Sequence, residues 1–200
     1  MYNVSNKLIC KEKNMAKRKT KKNNSTRIVI AIVLIALAVL TICTLFMPMF
    51  SSQIQTIIGN SQKSSGTTGA DVLTACFNGQ ISTDFSNGAN TLITLKNSDD
   101  YAFITGVFCW GYFITIIASA GVLVTALLSL IKIKIGLLNA ILGITIILLA
   151  IITFIFAIIV AKNFGYDGYF ASYKTMIASG VYILIATLLC GCFELYTVKA

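Results

Sequence analysis

The segments YAFITGVFCWGYFITIIASAGVLVTALLSLI (101–131) and IGLLNAILGITIILLAIITFIFAIIVA (135–161) decide the fold. Neither holds a charged residue, and only Lys132-Ile133-Lys134 separates them. A helix needs about 20 apolar residues to cross a hydrocarbon core ~30 Å thick, and both runs exceed that. So short a linker leaves two antiparallel spanning helices with both lysines at one membrane face.

Small residues recur along the two runs at steps of three, four or seven. In the first they are Gly111, Thr115, Ala118, Thr125 and Ser129; in the second, Gly136, Ala140, Gly143, Ala150, Ala157 and Ala161. Lipid gives helices no hydrophobic drive to associate, so close backbone approach over small side chains is the usual solution. These stripes are the expected helix-packing faces, toward the same chain or toward another.

Working outward, 28–47 and 176–193 are two further apolar runs of spanning length. The first has the basic approach of a signal peptide. Its apolar part is too long for one and no A-x-A site follows, so an uncleaved anchor ending at Pro48 is expected. The whole chain is 56% hydrophobic with 12% charged residues, about half the charged share of an ordinary soluble domain. Its abundant lysine, isoleucine and asparagine fit an AT-rich, bacterial genome.

The net charge of +9 is concentrated ahead of the first run, where Lys17, Arg18, Lys19, Lys21, Lys22 and Arg27 cluster. Positive charge beside a first span fixes that flank in the cytoplasm and favours anionic lipid head groups. No aromatic residue interleaves the cluster, so stacking on nucleic acid bases is not indicated. Residues 1–27 read as a disordered basic tail, with Met15-Ala-Lys-Arg-Lys resembling a start in its own right. The tail, Lys132 and Lys134 agree on one topology: a multi-pass plasma-membrane protein with both termini cytoplasmic, 48–100 and 162–175 outside, and 194–200 inside.

The outer segment opens with Ser64-Ser65-Gly66-Thr67-Thr68-Gly69, which reads as a flexible linker. Asn78-Gly79 and Asn87-Gly88 are hairpin-turn dipeptides. They mark off three short strands, 72–77, 81–85 and 91–95, of which the second alternates apolar and polar residues. The expected fold is therefore an all-α membrane protein: a four-transmembrane-helix bundle with a small extracellular β-meander between helices 1 and 2, resting on the outer helix ends.

Chemistry is sparse. The chain has no histidine and no C-x-x-C pair, so no metal site is expected, nor any cofactor. Cys190-Gly-Cys192 reads as packing near the inner end of the fourth helix. Cys76 and Cys109 are both placed toward the outer side, where a bridge is permitted, but sequence spacing says nothing about their separation. No ionisable residue falls within the four predicted spans, which argues against a self-sufficient ion-coupled transporter. Asn139 suits an interhelical hydrogen bond. Thr145, Thr153 and Thr187 can satisfy their hydroxyls on their own helices. Without histidine no nucleophile–base pair can be assembled short of Ser–Lys chemistry, and the outer lysines have no matching serine motif, so an enzyme is not expected.

Over 28–193 this layout resembles claudin-type four-span proteins. The resemblance implies internal termini, a first outer loop of similar length forming a small sheet, and a shorter second loop. It is topological: the family's loop tryptophans and cysteine pair are missing, since the loop holds Cys76 alone and Trp110 lies in a predicted helix. The expected function is that of a scaffold or interaction protein displaying a small outer domain. The lipid bilayer is its surrounding, and another membrane protein or a second copy its partner. The alternative is a subunit of a membrane transporter or channel complex.

Overall fold

The computed structural model describes residues 25–56, 63–78, 92–93, 96–97, 100–131, 133, 135–163, 166–167 and 171–199. Four helices are long and apolar enough to cross a membrane: α1 (Ser25–Phe46, its last turn Thr44–Phe46 a 3-10 helix), then α3 (Ala102–Leu130), α4 (Gly136–Asn163) and α5 (Ser179–Lys199). Between α1 and α3 lie β1 (Pro48–Thr56), β2 (Lys63–Thr68) and the short helix α2 (Gly69–Phe77). Between α4 and α5 lie β3 (Tyr166–Asp167) and β4 (Ala171–Ile177).

The bundle is inside-out in polarity by comparison with a soluble one. Leu137, Ile141, Ile144, Leu148 and Ile151 point outward along α4, and Ile114, Ile117 and Val124 along α3. The interior contains Thr115, Ala118, Ser119, Thr125, Ala150, Thr153 and Ala157. An apolar exterior over small and hydroxylated interior residues suits a lipid solvent, where helices are held by close approach and internal hydrogen bonds. The architecture is consistent with a multi-pass membrane protein.

Arg27 at the start of α1 donates through Nε to Ser129 Oγ (3.2 Å) and through Nη2 to the carbonyl of Ile133 (3.5 Å). Asn139 of α4 reaches Thr197 of α5. The start of α1, the α3–α4 turn and the end of α5 therefore share one end of the bundle.

The opposite end carries the sheet, and its make-up differs from the expected meander. Strand order is β2-β1-β4-β3, all antiparallel. The central strand β1 pairs with β2 from Ser51↔Gly66 to Ile54↔Lys63, and with β4 from Phe50↔Ile177 to Thr56↔Ala171. The sheet thus joins the α1–α3 connection to the α4–α5 connection. Residues 64–69, expected as a linker, form β2 and the entry to α2.

The predicted strand at 72–77 is helix. Thr68 and Asp71 form a capping box: Thr68 N–H donates to Asp71 Oδ2 (2.8 Å) and Asp71 N–H to Thr68 Oγ1 (3.3 Å). That satisfies donors which a first helical turn otherwise leaves open. Gly69, Val72, Ala75 and Cys76 then form a buried helical face. Leu92 and Ile93, within the third predicted strand, are helical and buried. The predicted strand at 81–85 and both turn glycines, Gly79 and Gly88, lie outside the described residues.

Beneath the sheet, Met49, Phe50, Val72, Phe108, Tyr112, Val160, Val181 and Leu184 form one apolar cluster. Phe50 packs against Phe108 with ring centroids 5.4 Å apart. Thr44 and Tyr112 share a buried hydroxyl–hydroxyl hydrogen bond of 2.8 Å. The N–H of Gly69 donates to Met47 O (3.2 Å) and that of Ala178 to Met49 O (3.0 Å). Backbone bonds therefore tie α2 and the approach to α5 to the α1–β1 junction.

Candidate functional site

The fourth span does not stop at the end of its apolar run. With neither proline nor glycine after Gly191, nothing local breaks the helix, and α5 continues to Lys199. Val181, Leu184, Thr187, Gly191 and Glu194 follow one another at steps of three or four and are all buried, so Glu194 takes the next place on the inward face. Its side chain is 0% exposed. The expectation that no ionisable group lies within the spans is corrected here, since Glu194 belongs to the fourth span of 179–197.

Hydrogen bonds from three helices converge on Glu194, one at its carboxyl and the others through its backbone carbonyl. Thr125 Oγ1 of α3 lies 2.8 Å from Glu194 Oε1 and 3.0 Å from the carbonyl of Val122. Asn139 Nδ2 of α4 donates to Thr197 Oγ1 (2.8 Å), whose hydroxyl donates back to the carbonyl of Glu194 (2.6 Å). Glu194 Oε2 and Asn139 Oδ1 are both buried without a hydrogen-bond partner among the described residues. The result is a polar clamp near one end of the bundle with two acceptors in reserve. It could hold the helices in register or receive a proton or a small cation, and the buried acidic residue makes it the leading functional candidate.

The structure distributes the expected packing residues as follows. Gly143 lies against α5, where a Cβ would come 2.8 Å from Leu195 Cγ and 3.1 Å from Gly191 O. Gly111 faces Thr153, with 2.8 Å between its would-be Cβ and Thr153 Oγ1. Thr115, Ala118, Thr125, Ala150, Ala157 and Ala161 are buried; Ala140 and Ser129 are half-buried. Gly136 departs from the stripe. It opens α4, is exposed, and has nothing within 4 Å of a would-be Cβ, because the helices have not yet converged there. Thr187 bonds to the carbonyl of Leu184, whereas Thr153 Oγ1 finds no hydrogen-bond partner among the described residues, contrary to expectation. Cys190 is buried and Cys192 exposed, so that pair is split between faces. Of the topology-determining residues, Arg27 is described above; Lys17, Arg18, Lys19, Lys21, Lys22, Lys132 and Lys134 lie outside the described residues.

Among the described residues no three His, Cys, Asp or Glu side chains gather as a metal site would require. Comparison with models of known protein families gives no match, and comparison with curated proteins gives none either.

Replacing Glu194 distinguishes its contributions. Glu194→Gln keeps the volume and the contact with Thr125, so thermal unfolding in detergent is expected within about 1 kcal/mol of wild type. Glu194→Ala leaves a cavity between α5 and α3 and is expected to cost about 2–3 kcal/mol. Equal melting of all three proteins would show that the carboxyl is not part of the packing.

Proposed function

We propose that this chain is a non-enzymatic four-span protein of the plasma membrane. Its bundle carries a small outer domain for contact with another membrane protein or a second copy of itself. The observation that supports this reading is the pairing of β1 with β4 from Phe50↔Ile177 to Thr56↔Ala171. Two connections distant in sequence are thereby made into one headpiece, seated on the cluster of Phe50, Phe108 and Tyr112. A loop with no task beyond linking helices needs no such arrangement. Both termini are placed in the cytoplasm, with the basic tail on anionic lipid; this claudin-like orientation puts the sheet outside.

Orientation is tested by labelling introduced cysteines with a membrane-impermeant maleimide, after Cys10, Cys43 and Cys192 are replaced by serine and the buried Cys76, Cys109 and Cys190 are kept. Asp167→Cys should react in intact cells, and Ser25→Cys only after permeabilisation. Reaction of Ser25→Cys in intact cells inverts the topology. The interaction role is tested by cross-linking in native membranes. A specific adduct should be lost when β1 is altered by Ser52→Pro, which removes a ladder donor, while the bundle remains folded.

A second reading, a transporter or channel subunit, is favoured by one observation: Glu194 Oε2 and Asn139 Oδ1, both buried and unpartnered. Under it, Glu194→Gln keeps the fold and abolishes proton or cation flux in reconstituted vesicles. Flux indistinguishable from empty vesicles for the wild-type protein excludes a self-sufficient pathway.

A further inference from the structure

Cys76 closes the buried face of α2 and Cys109 lies on the inward face of α3; they are 4% and 0% exposed. Both belong to the cluster beneath the sheet, and their side chains are in hydrogen-bonding contact. The neighbouring residues fix this alignment. Phe77 packs edge-on against Trp110 (5.7 Å) and Phe113 (5.1 Å), so the last turn of α2 lies along the first half of α3. Lys96 Nζ donates to the carbonyls of Ala75 (2.7 Å) and Cys76 (3.0 Å) and toward that of Asn78 (3.4 Å). An ammonium group thus caps the helix end that carries Cys76.

We propose that Cys76 and Cys109 close an intramolecular disulfide that fastens α2 to α3 beneath the sheet. The cellular bond rests on the orientation proposed above, because a disulfide persists in an oxidising outer compartment and not in the cytosol. The co-reactant is an oxidised dithiol, either a protein oxidoreductase or a small cyclic disulfide. Before α2 docks the two thiols are equivalent and either can attack first, Cys76 for instance. Its thiolate attacks one sulfur of the oxidant, forming a mixed disulfide and expelling the other sulfur as a thiolate. Cys109 gives up its proton and attacks Cys76 Sγ, releasing the oxidant's remaining sulfur. One disulfide forms here and one is reduced; two electrons and two protons pass to the oxidant, which leaves as a dithiol. Because both sulfurs are buried in the folded chain, exchange belongs to the stage before α2 docks. The finished bond is then shielded from reductant.

The test is a non-reducing digest of protein from cells quenched with N-ethylmaleimide. Tryptic cleavage at Lys63, Lys96 and Lys132 puts Cys76 and Cys109 on separate peptides, 64–96 and 97–132. The expected result is that the two are joined in most molecules and separate after reduction. Denaturing reduction and refolding should lower the melting temperature by several degrees, to the value of Cys109→Ser, which should not respond to reductant. Free thiols in cells but quantitative joining when purified protein is refolded with oxidised dithiothreitol would support the pair and overturn the outer placement of the sheet. Alkylation of both cysteines under both conditions overturns the proposal.

Discussion

Gly69→Ala is expected to prevent accumulation of folded protein, while Gly66→Ala, three residues earlier, is expected to be tolerated. A Cβ at Gly69 would collide with the hydroxyl of Tyr112 and the carbonyl of Thr44, and would come within 2.8 Å of Leu45 Cα. Two of those three obstacles are backbone, and the third is already engaged in the buried Thr44–Tyr112 bond. Nothing there can swing aside. Overpacking of this kind costs about 1–3 kcal/mol and occasionally more; with backbone on two sides, the upper end is expected. A Cβ at Gly66 would meet only Phe50 O at 3.9 Å and Pro48 Cβ at 4.0 Å, which is ordinary contact. Fluorescence-detected size exclusion and thermal unfolding in detergent read both variants. A Gly69→Ala protein melting within two degrees of wild type would mean that α2 does not dock against the end of α1 as described.

The crossing of α4 and α5 gives the second large effect. Gly143 and Gly191 face one another. A Cβ on Gly191 would lie 2.6 Å from Ile147 Cγ1 and 2.9 Å from Gly143 O, and one on Gly143 would meet Leu195 and Gly191 O. Each glycine thus leaves room for the other helix's backbone, the approach that holds helices together in lipid. Gly143→Leu and Gly191→Leu should each force the helices apart and lower stability by about 3 kcal/mol. Leu148→Ala, on a side chain 55% exposed on the outer face of α4, should change little, because lipid refills the space. The crossing lies within one chain, so the leucine variants should melt earlier in thermal unfolding while light scattering shows no shift from oligomer to monomer. Wild-type melting in both would place the stripe against lipid.

The spans were legible because span length is a local property. An uninterrupted apolar run either reaches across a bilayer or does not, and each predicted run contains the bulk of its observed helix. The ends were less legible. Ending the fourth helix at its first charge left Glu194 outside, although it continues the step from Leu184 through Thr187 and Gly191. Following that face past the apolar run would have found it. The signal for α2 was also present, in Thr68 and Asp71 three residues apart ahead of an apolar run. Reading Ser64–Gly69 by composition hid it.

The amino-acid sequence by itself determined four spans, their order, and the clustering of positive charge before the first. Each follows from the hydropathy or charge of contiguous residues. Only the tertiary structure decided that β1 pairs with β4, that Glu194 meets Thr125, that Gly143 faces Gly191 and that Cys76 touches Cys109. The partners in each pair are far apart along the chain. They are brought together by the packing of whole helices, so the alternation or spacing of either segment alone carries no trace of its partner. A strand as polar as Ser51–Thr56 shows little of its own preference. It becomes the centre of a sheet because α4 and α5 deliver β4 to one edge, while β2, leading into the docked α2, covers the other.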